Sequence, residues 1–150
     1  MPSEEEARRA FACPRRRGRY RGLVLDGLDP ADPDERRFLI EAEHPELQDA
    51  LERHEDVLVG GRAVNPRLHI LVHEIVANQL WDGDPPEVWE TAKRLLGLGY
   101  ERHEVLHMLG SVVTRELWSA LHDRRLADTA RYVAALDELP GSYHALAHES

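Results

Sequence analysis

The sequence contains a single cysteine, Cys13, and no long apolar run. One cysteine excludes an internal disulfide framework and a zinc site assembled from several thiolates. No stretch approaches the roughly 20 consecutive apolar residues that a membrane-spanning helix needs, and the N-terminal residues lack the apolar segment of a secretory signal. We therefore expect a cytoplasmic protein with no membrane partner.

Charge is distributed unevenly along the chain, whose net charge is −9 at pH 7. Residues 1–21 carry seven arginines and three glutamates, so the rest of the chain is strongly acidic. An acidic domain repels phosphate backbones, which argues against nucleic acid as a partner except through the arginine run at residues 15–21. We expect residues 1–31 to form a flexible, Arg-rich N-terminal arm.

Capping residues followed by proline mark several helix starts. The pair Asp32–Pro33 predicts a helix to about Glu43, and Asn65–Pro66 predicts another through about Leu80. Residues 57–59 are too few for a strand to be assigned. The other predicted helices cover residues 45–54, 86–97, 100–122 and 124–139.

These helices define the expected fold class. A chain of 150 residues has room for one domain. The sequence therefore predicts an all-α fold, a single compact helical bundle of about five or six helices in residues 32–140. Residues 141–150 are expected to form a C-terminal tail.

Two of the predicted helices carry apolar residues around most of their circumference. They are the helix that begins at Pro66 and the N-terminal half of the helix over residues 100–122. A helix that is apolar on all sides is a core helix, so polar residues within it need partners. Most of those polar residues are histidines.

The histidines on these two helices form the pairs His69/His73 and His103/His107. Residues four apart share one helix face and can bind one metal ion, and facing pairs on packed helices build metal sites inside bundles. The second pair belongs to an H-E-x-x-H motif, in which the imidazoles hold zinc and the glutamate, here Glu104, is the general base. We predict that residues 32–140 form a metal-binding domain with these four ligands and Glu104 as catalytic residue.

Two further residues are weaker candidates for metal ligands. His44 follows Glu41 with the Glu-x-x-His spacing of di-iron bundles, and Glu74 could supply a carboxylate to such a site. The break at Pro45 argues against this di-metal arrangement. The competing interpretation of all these histidines is a hydrogen-bonded core that holds no metal. The other histidines are expected at the surface: His54, His122, His144 and His148.

The histidine motifs carry a resemblance to a known family. The segments Asn65–His73 and Arg102–His107, with Gln79 between them, resemble an uncharacterised bacterial family, domain of unknown function 1841. The segment His44–Glu46 fits the same pattern, so the resemblance spans roughly residues 35–122. Glu74 departs from the more usual apolar residue, and the Arg-rich arm has no counterpart. The family has no assigned activity, so the resemblance supports the histidine pattern and implies no function.

Functions from three classes fit these residues. One is a metal-dependent enzyme, either a hydrolase with Glu104 as base or a di-metal oxidoreductase. Another is a non-catalytic protein with a structural, storage or redox metal. The third is a metal-free helical interaction module. The expected cofactor is a divalent transition metal; zinc is favoured, and iron, copper and nickel also accept imidazole nitrogen. The substrate is unknown, and a homo-oligomer is compatible with the pattern.

Overall fold

A computed structural model of the protein describes residues 2–53, 55–59, 62–123 and 128–148. Within these ranges the chain forms eight α-helices, one 3₁₀ turn and two two-stranded antiparallel sheets. The predicted all-α class is confirmed, although helices outnumber the five or six expected. No helix in the described ranges combines the length and the apolar character that a bilayer-spanning segment requires.

The chain divides into two compact units, residues 1–81 and 82–150. In the first unit β1 pairs with β2, and β3 pairs with β4. The elements of the first unit are α1 (Glu4–Ala12), β1 (Arg19–Tyr20), β2 (Leu23–Val24), α2 (Pro33–Ala42), a 3₁₀ turn (Pro45–Leu47), α3 (Gln48–Arg53), β3 (Val57–Val59), β4 (Arg62–Val64) and most of α4 (Pro66–Asp82). Those of the second unit are α5 (Pro86–Gly97), α6 (Arg102–Asp123), α7 (Thr129–Asp137) and α8 (Gly141–His148).

Side-chain caps begin α2 and α4 where the sequence predicts them. The carboxylate of Asp32 accepts hydrogen bonds from the backbone N–H groups of Asp34 and Glu35, at 2.9 and 3.3 Å. The Asn65 side-chain oxygen accepts from the N–H groups of Arg67 and Leu68, at 3.0 and 3.2 Å. Each cap satisfies donors that the first turn of a helix leaves without partners.

The N-terminal segment differs from the flexible arm that its charge suggests. Residues 4–12 form α1, and Phe11 and Cys13 at the end of this helix are buried. Arg8 donates from Nε to the carbonyl oxygen of Leu80 at 2.7 Å and from Nη2 to that of Trp81 at 3.2 Å. These carbonyls lie in the last turn of α4, which has no intrahelical donors for them, so the arginine fork serves as their cap.

The core of the first unit lies around α2. Its buried cluster draws on the segment after α1, on the first hairpin and on α4, so residues before position 31 contribute to the core. The members of the cluster are Cys13, Tyr20, Leu25, Leu39, Ile40, Ala42 and Ala77.

In the second unit, helices α5, α6 and α7 each contact the other two. Their buried residues are mainly aliphatic, and Leu95, Leu109 and Leu136 are fully enclosed. Arg94 donates to the carbonyl oxygens of Leu139 and Leu136, at 2.7 and 3.2 Å, and so caps the end of α7. Residues 141–148 belong to the predicted C-terminal tail, and in the structure they form α8.

The expectation that both histidine-bearing helices are buried on all sides is wrong in part. On α4 the side chains of Leu68 and Leu71 are 46% and 47% exposed. The apolar residues of α6 from Val105 to Val113 are buried as expected, but the face of that helix that carries His103 and His107 is exposed. Most buried residues of α4 recur at three- and four-residue intervals: Ile70, His73, Val76, Ala77 and Leu80. One stripe of the helix is therefore packed, and the apolar residues outside that stripe face solvent.

The contacts of Arg8 give the first testable prediction. Arg8→Met should lower the free energy of unfolding by about 1–3 kcal/mol, because it removes the donor to the Leu80 carbonyl, whereas Arg9 still donates to the Trp81 carbonyl at 3.3 Å. Chemical denaturation measures the change. The matched control is Arg17→Met, at an exposed position of the same segment. Equal stability of the two variants would mean that the segment is the flexible arm its composition suggests.

Candidate metal centre

Three histidines of the first unit lie side by side. His44 follows directly after α2, and His69 and His73 lie one turn apart on α4. The ring centroid of His44 is 5.5 Å from that of His69 and 4.3 Å from that of His73, and the two rings on α4 are 4.7 Å apart. The structure therefore brings the weaker candidate His44 together with the pair on α4.

His44 is held in place by its own backbone neighbourhood. Pro45 ends α2, and the His44 side chain turns back so that its Nδ1 lies 2.9 Å from the carbonyl oxygen of Ile40. A carbonyl oxygen only accepts hydrogen bonds, so Nδ1 carries the proton and Nε2 presents its lone pair. The ring is 5% exposed. Metal-binding histidines in proteins are commonly oriented in this way, with one ring nitrogen donating to a carbonyl and the other left for the ion.

The two histidines of α4 point ring nitrogens at each other. The Nε2 atoms of His69 and His73 are 3.1 Å apart, and His73 is 8% exposed. At this distance one ring can donate a hydrogen bond to the other, or both lone pairs can face one cation. In a tetrahedral zinc site with Zn–N bonds near 2.0–2.1 Å, ligand nitrogens lie about 3.3 Å from each other. The spacing is therefore close to that of two ligands on one ion.

His107 belongs to the same group. One ring nitrogen from each of His44, His69, His73 and His107 lies within 4.8 Å of the others. His107 is exposed on α6, whereas His44 and His73 are buried. Four imidazole nitrogens suit zinc, copper, nickel or iron and do not suit magnesium or calcium, which prefer oxygen ligands. The four histidines thus form a cluster that could hold a transition-metal ion.

The remaining residues singled out in the sequence are not part of this cluster. His103 and Glu104 are exposed in the first turns of α6, so the cluster holds one histidine of the H-E-x-x-H motif. Glu74, half-buried on α4, is ion-paired with Arg37, whose Nε lies 3.0 Å from its carboxylate oxygen. The histidine that joins instead is His44, the weaker candidate that the sequence indicates by its spacing from Glu41 and by the resemblance of the His44–Glu46 segment.

The other histidines have separate surroundings. His122 stacks on Trp118 with ring centroids 4.5 Å apart, and the Tyr100 hydroxyl lies 2.8 Å from His144 Nε2. Both histidines are exposed, as expected. The predictions for His54 and for the side chain of His148 lie outside the described residues.

The fold and the cluster define a mostly helical protein with a histidine group that could bind metal. The profile of the family described as a domain of unknown function (DUF1841) matches residues 3–138, and the chain belongs to this family. The match starts at α1, so it includes the Arg-rich segment that the sequence resemblance, at residues 35–122, leaves out. No curated protein and no solved structure matches the chain.

Proposed function

We propose that the protein is a metalloprotein that binds one transition-metal ion, with zinc favoured, through His44, His69, His73 and His107. The observation that carries the proposal is the buried ring of His44. Its Nδ1 is committed to the Ile40 carbonyl, so its one remaining nitrogen, Nε2, is available to the cluster. This ligand set includes three of the four histidines expected from the sequence and has His44 in place of His103.

The burial of the cluster supports a cation more than a network of hydrogen bonds. A neutral imidazole has one donor and one acceptor, and the donor of His44 is committed to the Ile40 carbonyl, so its other nitrogen accepts a hydrogen bond or binds a metal ion. A buried polar atom without a partner costs about 1–3 kcal/mol. One cation could be bound by a nitrogen of each ring at once, and the rings of His44 and His73 are the two that water reaches least.

The number of nitrogens favours a structural role for the ion. Structural zinc sites have four protein ligands, whereas catalytic sites keep one position for water. Four imidazoles fill a tetrahedral shell, and the ion then cross-links the end of α2 to α4. Because an ion bound only by the folded chain adds its binding free energy to folding, this cross-link stabilises the first unit.

A second candidate function, a metal-dependent hydrolase, is favoured by the exposure of His107. An exposed ligand is the one that water could replace, which leaves the histidines of the first unit on the ion and opens one position. Glu104 lies one turn before His107 and is also exposed, so its carboxylate would be the general base toward that water. The substrate class and the cytoplasmic location remain predictions.

The two histidines of the H-E-x-x-H motif provide a matched pair of variants. His107→Ala should lower the metal content of protein purified without a His-tag from about one ion per chain, and should lower the melting temperature, because a ligand is lost. His103→Ala should keep both values, since His103 is outside the cluster. Elemental analysis and thermal unfolding measure the two effects.

The proposal would be contradicted if the wild-type protein held no transition metal, either as purified or after incubation with zinc. The metal-free interaction module would then be the remaining interpretation. If His103→Ala lost as much metal as His107→Ala, the proposed ligand set would be wrong. His103 and His107 would then both be ligands, as the sequence predicts.

Glu104→Gln distinguishes the structural role from hydrolysis. The amide is nearly isosteric, so the fold and the metal content should stay as in the wild type. Under the hydrolase alternative, cleavage of any ester, amide or phosphoester by the metal-loaded protein should fall about 10²–10⁴-fold. Unchanged cleavage would exclude Glu104 as the base. A metal affinity weakened by about 10–100-fold would instead show that Glu104 orients a ligand.

A further inference from the structure

A second site lies on the first unit, away from the histidine cluster. It is a cavity of about 550 Å³ bounded by α2, α3, α4 and the turn after β1, and none of the clustered histidines lines it. Its volume is in the range of small-molecule sites, roughly 300–1,000 Å³. The lining consists of three arginines, three glutamates and three aliphatic residues: Arg21, Arg37, Arg67, Glu41, Glu52, Glu74, Leu51, Ile70 and Leu71.

Two ion pairs neutralise part of the charge that lines the cavity, and other charged groups of the lining are not part of them. Arg21 pairs with Glu52 at 3.1 Å, and Arg37 pairs through Nε with Glu74 at 3.0 Å. Within the described part of the chain, no hydrogen bond engages the two Nη groups of Arg37, and no hydrogen bond or ion pair holds the half-buried carboxylate of Glu41. The cavity therefore offers the Nη groups of Arg37 and the carboxylate of Glu41, and these two charges also attract each other.

We infer that this cavity binds a small zwitterion of the α-amino acid class with an apolar side chain. The ligand's carboxylate accepts hydrogen bonds from the Nη groups of Arg37, and its ammonium donates to Glu41. Its hydrocarbon part contacts Leu51 and Leu71, of which Leu71 is 47% exposed. The lining has equal numbers of cationic and anionic side chains, so it matches a ligand that carries both charges and does not match a polyanion such as a nucleotide.

Leucine is the probe for this site, with the full-length protein as purified as the target. Calorimetry should detect leucine binding, and leucine should raise the melting temperature by mass action. N-acetyl-leucine lacks the ammonium and leucine methyl ester lacks the carboxylate, so each should bind at least about tenfold more weakly. Failure of leucine, isoleucine and methionine to bind would overturn the inference, as would equal binding of leucine and its two capped forms.

Variants test the assigned groups. Glu41→Gln should weaken leucine binding about tenfold or more, because the amide loses the charge that attracts the ammonium. The control Glu46→Gln makes the same change at an exposed residue outside the cavity and should have no effect. Equal leucine affinity in these two variants would contradict the role of Glu41. Metal content is measured in each sample, so the outcome is independent of the metal proposal.

Discussion

The contact between the His44 ring and the Ile40 carbonyl is the interaction on which the metal proposal depends. It joins a side chain to the last turn of α2, 2.9 Å from Nδ1 to oxygen, at the point where Pro45 stops the helix. The contact fixes the tautomer of the ring, so a single nitrogen remains for the cluster. Without this contact, the orientation of the buried His44 ring would not be set before an ion binds.

Helix α4 presents two different surfaces. On an ideal helix the side of His69 and His73 lies roughly 150° around the axis from the side of Leu71 and Glu74. The first side carries the histidine cluster, and the other side lines the charged cavity. Leu71, one of the exposed apolar residues of α4, is among the residues that line this cavity.

The parts of the structure that follow from local chemistry are the parts that the sequence predicts. The caps Asp32 and Asn65 act on residues within one turn, and the i, i+4 spacing of His69 and His73 guarantees a shared face. The role of Arg8 could not be predicted in this way, because its acceptor carbonyls lie more than 70 residues further along the chain. Composition alone therefore indicated a flexible arm where the chain forms a helix that caps α4.

The central claim, that four imidazoles bind one ion, is tested most directly by X-ray absorption at the metal edge of the full-length, zinc-loaded protein. The account predicts a shell of four nitrogens at about 2.0–2.1 Å with the outer-shell scattering of imidazole rings. This shell should lose one imidazole in His44→Ala, since the ring held by Ile40 is a ligand. An octahedral oxygen shell, or an unchanged spectrum in His44→Ala, would contradict it.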